Sequence, residues 1–233
     1  MNTIAKSFKI RCSAIGQICG GFRGNAVRGE NELPETAKTY CRQWLKEQIY
    51  DRRKEVSSKS MEWGNKVEFD AIEYLAKHTG LGWVDKNTER KENDFMVGCC
   101  DLWLPERKRI IDTKCSVDCF TFPLFDKTLP DVEYADQVQG YMELWSAETG
   151  AVSYVLMSAP ADWILKQARF GLPYGYTEAD YLEFAKKYNY DHFPPDLRIK
   201  TFEFEKNPDR LEFISKRVDA CRLYIQDLID GMN

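Results

Sequence analysis

Residues 110–117 read IIDTKCSV, an apolar stretch with an aspartate and a lysine two positions apart. Successive side chains of a β-strand point to opposite faces, so Asp112 and Lys114 share one face of the predicted strand. Charged groups in an apolar strand cost free energy unless they are paired, hydrated or bound to a metal. The stretch therefore predicts either a surface ion pair on an edge strand or a functional site.

A second carboxylate precedes this strand. Asp101 lies in the apolar run VGCCDLWL, and the turn-like PERK that follows predicts a hairpin bringing Asp101 beside Asp112. Close carboxylates repel, and a shared proton or a hard cation such as Mg²⁺ relieves the repulsion. Glu68, on a helix before the strands, offers a third carboxylate, although most acidic side chains are only solvated. Lys114 would act electrostatically beside a metal-bound water.

The helix YADQVQGYMELW follows the hairpin and brings an amide and two phenols to one side. Gln137 and Tyr141 lie one helical turn apart, and Tyr134 is three residues before Gln137. These groups would position a nucleophilic water or a phosphate. An ordinary polar helix face is the alternative interpretation.

The composition is typical of one globular domain. Of 233 residues, 43% are hydrophobic and 30% charged, with a net charge of −4. The start MNTIAKSFKIRCS has no long apolar run and no stretch is long enough to cross a bilayer, so we expect a cytoplasmic protein with no membrane partner. The eight cysteines are then expected to stay reduced. Two histidines give little material for a histidine metal cage.

Apolar periodicity and turn residues predict an α/β fold of the mixed α+β kind, with a central mixed sheet flanked by helices. We expect a single domain over 1–233, with a core at about 60–158, an N-terminal helical segment 1–59 that includes a glycine-rich loop at 19–29, and a C-terminal helical extension 159–233. The predicted elements are a helix from Pro34, a helix ending at Gly80, strands near 82–90, 94–104 and 109–116, a helix over 132–147, a strand at 151–158, a helix after Thr177, a strand near 198–205 and a last helix after Pro208. The last helix has an apolar seam that packs on its own domain or on another subunit.

Four short motifs, in this order, resemble the PD-(D/E)XK nuclease superfamily, in particular the phage lambda exonuclease group and its RecB-type (YqaJ-like) relatives. The segment GNKVE at 64–68 resembles the GxxxE helix motif, and VGCCD at 97–101 resembles the strand motif that ends in a metal-binding aspartate. IDTKCS at 111–116 resembles the (D/E)xK motif, and the helix at 134–145 resembles the QxxxY helix. The resemblance implies a restriction-endonuclease-like core of the order αβββαβ.

The same resemblance implies a catalytic site that binds one or two Mg²⁺ or Mn²⁺ ions. It makes Asp101 and Asp112 direct ligands, Thr113 a carbonyl ligand, Glu68 a ligand in some members through water, and Lys114 the catalytic lysine. Gln137 and Tyr141 correspond to the QxxxY pair, and Tyr134 is a DNA-binding candidate beside them. The segment IRCSAIGQI resembles the part of the family that engages a DNA end, which implicates Ser13 with Lys6 or Arg11. Close relatives can have a serine at the position of Cys99, so dependence on a 5′-phosphate is left open.

The implied activity is 5′-to-3′ exonuclease digestion of linear duplex DNA in phage-type recombination, beside a single-strand annealing protein and in a homo-oligomer, a trimer by resemblance. A phage-encoded protein of this kind would act in the bacterial host cytoplasm. Two alternatives remain: a structure-specific or nicking endonuclease of the same fold, and a non-catalytic DNA-binding protein. Basic clusters at 52–54 and 107–109 are either a track for the DNA backbone or solvated loops.

Overall fold

The computed structural model of the chain describes residues 2–21, 32–54 and 59–232. Most of the predicted glycine-rich loop lies outside these ranges. Within them the chain forms two mixed sheets with helices on both sides, which confirms the predicted mixed α/β class. No helix in these parts of the chain is long and apolar enough to cross a membrane.

The larger sheet is built around the strand predicted at 109–116, which contains Asp112 and Lys114. Its strands are β4 (Leu102–Leu104), β5 (Arg109–Ser116), β6 (Thr149–Leu156) and β7 (Ile199–Glu205), in that spatial order. β5 and β6 are parallel and are connected through helix α5 (Val132–Trp145), whereas β4 and β7 pair antiparallel at the two edges. The apolar residues of β5 and β6 therefore lie at the centre of the sheet, buried on both faces.

The smaller sheet was only partly predicted. It consists of β1 (Ile10–Arg11), β2 (Lys91–Glu92) and β3 (Met96–Gly98), with β3 in the middle. The strand predicted near 82–90 is wrong, because that segment has no regular strand structure and begins beside two positive-φ glycines, Gly80 and Gly82. The run predicted as one strand over 94–104 is broken at 99–101, where the chain passes from the small sheet to the large one.

The helices cover the two faces of the large sheet, and they are α1 (Asn2–Lys6), α2 (Ile15–Cys19), α3 (Glu35–Tyr50), α4 (Lys59–His78), α5, α6 (Ala161–Gly171), α7 (Glu178–Lys186) and α8 (Pro208–Asp230). α1 and α2 lie in the helical segment expected at 1–59 and α6 in the helical extension expected at 159–233, but the sequence did not set the bounds of these three helices. The capping box at Thr177 and Asp180 starts α7 as its sequence predicts, and Asn207 caps α8. α4 packs on the face that presents Ile111, and α5 packs on the opposite face.

Helix α8 packs its seam on the body of the chain. Ile214, Val218, Cys221 and Ile225 are fully buried, and the helix contacts α1, α2, α3 and α5. This confirms the first of the two readings of the seam. The consequence for the site is that α5 is held between the large sheet and α8, so the side chains that α5 presents to β5 have little freedom to move.

Candidate active site

The hairpin of β4 and β5 brings the two aspartates together as its sequence predicts. Leu102 pairs with Ile111 across the hairpin, so Asp101 comes opposite Asp112. The Asp101 Oδ2 atom accepts a hydrogen bond from the backbone N–H of Thr113 at 2.7 Å. The Asp112 side chain is buried, with 2% of the residue exposed. Two carboxylates therefore share a water-poor position at the end of the large sheet.

The environment of the pair disfavours two negative charges. Burial, and then the charge of Asp112, raise the pKa of Asp101 to about 7. Burial also raises the pKa of Asp112, although the ammonium of Lys114 opposes this. A hard divalent cation would remove the repulsion and prefers oxygen donors of this kind, so the chemistry of the pair fits Mg²⁺ or Mn²⁺. In the described ranges, however, no three His, Cys, Asp or Glu side chains come close enough to form a ready-made metal site.

Lys114 lies between the acidic pair and helix α5. Its Nζ atom is 2.8 Å from Asp112 Oδ2, donates to Gln137 Oε1 at 3.2 Å, and lies 4.2 Å from the centre of the Tyr134 ring. Burial alone would lower the pKa of this ammonium, but the attraction of Asp112 outweighs it and the net pKa is raised. Lys114 therefore stays charged, and its position at the rim of the pair suits it to stabilise an anion.

Gln137 connects the acidic pair to the rest of α5. Its Nε2 group donates to Asp112 Oδ1 at 3.1 Å and to the Tyr141 hydroxyl at 3.0 Å. Both side chains are buried, and burial raises the pKa of the Tyr141 phenol, which remains neutral. The amide and the phenol thus fix the orientation of Asp112, a positioning task that the sequence did not specify.

Gly98, the glycine of the VGCCD motif, is required by close packing against this helix. A Cβ atom at this position would lie 2.7 Å from Tyr141 Cε1 and 2.8 Å from Cys12 Sγ. Any side chain would therefore displace Tyr141 or Cys12. The glycine of the motif serves the geometry of the QxxxY pair.

Glu68 approaches from the opposite side of β5, on helix α4. Its carboxylate forms an ion pair with Lys86. It still affects both aspartates electrostatically, since its charge contributes to raising the pKa of Asp101 and of Asp112. Glu68 lines an open cavity of about 420 Å³ together with Thr113, Lys114 and Tyr134. The cavity gives solvent-borne groups access to the lysine beside the buried pair.

Comparison with solved structures identifies proteins that share the fold. The chain is similar over its whole length to a phage-related exonuclease from Haemophilus somnus 129PT, with a TM-score of 0.78 and 29% identity over 100% of both chains. This likeness is consistent with a PD-(D/E)XK nuclease of the phage lambda exonuclease type, as the motif resemblance implied.

An alkaline exonuclease (LHK-Exo) from Laribacter hongkongensis shares the fold of this chain. The TM-score is 0.64 at 13% identity, over 99% of this chain and 94% of the other. The structure of the same exonuclease in complex with dAMP gives 0.63 at 14% identity, over 98% and 93% of the two chains. No protein-family profile matches the chain, and no curated protein matches it by sequence.

The N-terminal candidates lie on three different parts of the surface structure: a turn and the linings of two cavities. Ser13 is exposed on a short 3-10 turn, residues 12–14, that contacts α5 and β3. Lys6 lines a cavity beside Arg222 of α8, whereas Arg11 lines a different cavity with Arg90. Lys6 and Arg11 therefore line different cavities, and the roles of Ser13, Lys6 and Arg11 in DNA binding stay predictions.

Two neighbours of the acidic pair were missed by the sequence reasoning. Lys86 pairs with Glu68, and the backbone N–H of Asn87 donates to the Asp101 carbonyl at 2.7 Å. Both lie in the segment wrongly predicted as a strand. The alternating side-chain directions of a strand gave the wrong orientation for these two residues. The polar run DKNTER at 85–90 was the available signal, because it interrupts the apolar pattern just before the motif strands.

Proposed function

We propose that this protein is a divalent-metal-dependent DNA exonuclease that hydrolyses phosphodiester bonds at the ends of linear duplex DNA, with 5′-to-3′ polarity. One observation supports this most: the buried Asp112 lies beside the half-buried Asp101, with Lys114 at 2.8 Å from Asp112. This constellation occurs in a chain that matches a phage-related exonuclease over its full length. A merely structural ion pair would not need a second carboxylate beside it.

Asp101 and Asp112 would hold the cation, with the backbone carbonyl of Thr113 as a further ligand and Glu68 acting through water. One or two Mg²⁺ or Mn²⁺ ions bound there would lower the pKa of a water and neutralise charge on the phosphate. Glu68 suits the outer position because its carboxylate is already paired with Lys86.

The chain's own residues would then orient the substrate and stabilise charge. The Lys114 ammonium, held by Asp112 and Gln137, would face the phosphate and stabilise the negative charge that develops on its oxygens. Gln137 and Tyr141 would keep Asp112 in one orientation. Tyr134, which packs under Lys114 at the cavity, would contact the DNA strand.

Further features of the proposal follow the family. Ser13, Arg11 and Lys6 would contact DNA near its end. The protein would work as a homo-oligomer, a trimer by resemblance, beside a single-strand annealing protein in the cytoplasm of a bacterial host. The match to a phage-related exonuclease supports a role in phage recombination.

The test is digestion of end-labelled linear duplexes, with and without a 5′-phosphate, in Mg²⁺, Mn²⁺ or EDTA. We expect mononucleotides to be released progressively from one end, only with a divalent ion, and a covalently closed circular duplex to stay intact. Nicking of the circle would instead identify an endonuclease of the same fold. No hydrolysis under any condition would reject the proposal.

Matched lysine variants separate the site from general effects. Lys114→Ala should slow digestion by roughly a hundredfold or more. Lys186 is an exposed lysine on α7, and Lys186→Ala should digest at the wild-type rate. Wild-type activity in Lys114→Ala would exclude the proposed role of this residue.

A further inference from the structure

A cavity beside the small sheet is lined by cationic side chains that the proposed catalytic site does not use. The cavity has a volume of about 120 Å³ and lies between β1, α3 and the segment before β2. We call it the basic cavity, after its four cations: Lys9, Arg11, Arg53 and Arg90. Four cations in so small a space repel one another unless anions lie among them.

The acidic groups of the protein only partly compensate these charges. Lys9 forms an ion pair with Glu92 at 2.9 Å. Arg11 is hydrogen-bonded to the hydroxyl of Tyr40, a neutral group. Glu47, the one carboxylate in the cavity lining, accepts hydrogen bonds from Gln43 at 3.1 Å and from the backbone N–H of Lys54 at 3.3 Å.

In the described parts of the chain the two remaining arginines are not paired with a carboxylate, although the charge of Arg90, after that of Lys9, contributes to lowering the pKa of Glu92. Within the described residues neither Arg53 nor Arg90 forms an ion pair or a hydrogen bond, and both are exposed. By contrast, Lys108 and Arg109 of the second predicted basic cluster pair with Glu148 and Glu203. Guanidinium groups with all donors available suit the paired oxygens of a phosphate.

A short segment, residues 86–90, connects the basic cavity to the β4–β5 hairpin that carries Asp101 and Asp112. The backbone N–H of Asn87 donates to the Asp101 carbonyl at 2.7 Å, and its side-chain amide donates to the Cys100 carbonyl at 3.0 Å. Arg90 lies three residues after Asn87. Lys86, one residue before Asn87, forms an ion pair with Glu68. The segment 86–90 therefore has a cation at each end, and its Asn87 is hydrogen-bonded to the backbone of the proposed metal ligand Asp101.

We propose that the basic cavity binds phosphate groups of the DNA substrate away from the bond that is cut, with Arg53 and Arg90 as the principal contacts. The inference rests on the proposed nuclease function and adds a second place where the substrate is held. The recognised chemistry is a phosphate oxygen pair, which belongs either to an internal phosphodiester or to a terminal monoester. The two sources differ in whether a free DNA end is needed.

The test is equilibrium binding of a short fluorescent duplex in EDTA, where no hydrolysis occurs, over a series of salt concentrations. The variants are Arg53→Ala, Arg90→Ala and the double variant, with Arg169→Ala, an exposed arginine on α6, as the matched control. Each lost phosphate contact should lower the slope of log affinity against log salt by roughly 0.9 and weaken binding roughly tenfold at low salt. The double variant should show about twice that change in slope.

The outcomes separate the inference from the proposed function. Unchanged slopes in the double variant, or an equal loss of affinity in Arg169→Ala, would overturn the proposed role of the basic cavity and leave the nuclease proposal intact. If the wild-type protein binds no duplex and digests none, the nuclease proposal fails and the inference fails with it. A loss confined to 5′-phosphorylated duplexes would assign the site to the terminal phosphate, and an equal loss on 5′-hydroxyl and circular duplexes would assign it to internal phosphodiesters.

Discussion

Replacing Gly98 with alanine should reduce both stability and activity, because the added methyl group has no room. The new Cβ would lie 2.7 Å from Tyr141 Cε1 and 2.8 Å from Cys12 Sγ, whereas carbon atoms in contact are normally about 3.5 to 4.0 Å apart. Tyr141 and Cys12 are buried, 5% and 1% exposed, so neither can turn into solvent. Overpacking of this kind costs about 1 to 3 kcal/mol.

The activity should fall more than the stability loss alone explains. To make room, Tyr141 must move by about 1 Å, and a shift of that size at a reacting group can cost roughly a hundredfold in rate. The path is direct, since the Tyr141 hydroxyl accepts from Gln137 Nε2 at 3.0 Å and the same amide donates to Asp112 at 3.1 Å. The assays are urea unfolding for stability and single-turnover digestion for the rate.

A matched glycine and a second substitution make the test sharper. Gly64 on α4 has no neighbour within 4 Å of a built Cβ, so Gly64→Ala should stabilise the protein by about 1 kcal/mol. Cys12→Ala removes one of the two clashing atoms and should partly restore Gly98→Ala. Full stability and full activity in Gly98→Ala would refute the reasoning, as would a loss that Cys12→Ala does not change.

Three further predictions concern charges. Asp136 and Arg210 form a bidentate pair, with 2.7 Å for each bond, that joins α5 to α8. Asp136→Ala breaks this pair and should lower the free energy of unfolding, measured by urea titration, by about 2 to 3 kcal/mol. No change would exclude the pair as a stabilising contact. Burial, and then the charge of Asp112, raise the pKa of Asp101 from 3.8 to about 7 in the folded state, so the contribution of this carboxyl to the stability of the metal-free protein should be full below pH 3.8, fall as the pH rises from 3.8 to about 7, and change no further above that. Asp101→Asn should remove this part of the pH dependence in thermal melts in EDTA, and an unchanged dependence in that variant would contradict the assignment. Lys114→Ala should lower kcat by roughly a hundredfold or more with little change in KM, since its charge is needed in the transition state, and an effect on KM alone would contradict this.

The centre of the fold was predictable because its signals are local. The register of the β4–β5 hairpin follows from two apolar runs and a short turn, and it brings Asp101 opposite Asp112. The helices with clear caps, such as α7 at Thr177 and α8 at Asn207, also start where the sequence indicates. The motif residues could be identified from their spacing on these elements alone.

What was missed depends on contacts between distant segments. β1 is two residues long and exists because it pairs with β3, which lies 86 positions later in the register of Ile10 with Met96. The segment at 82–90 looked like a strand, but its polar groups bond to the Asp101 and Cys100 backbone instead of to a strand partner. The pairing of Glu68 with Lys86 and the distance between Lys6 and Arg11 likewise depend on tertiary packing, which short motifs do not encode.

Helix α5 explains how the rest of the protein affects the acidic pair. One side of this helix presents Gln137 to Asp112, while its neighbour Asp136 binds Arg210 of α8. On the same helix, Gln139 bonds to the carbonyl of Glu205 and to the N–H of Asn207, where β7 ends and α8 begins. Because Asp136, Gln137 and Gln139 fix the helix against its neighbours, a change in the packing of α8 would alter the orientation of Asp112 without direct contact with the site. The buried carboxylates are therefore held by the whole of the α5 and α8 layer, and the preorganisation of the site depends on that layer as much as on the motif residues.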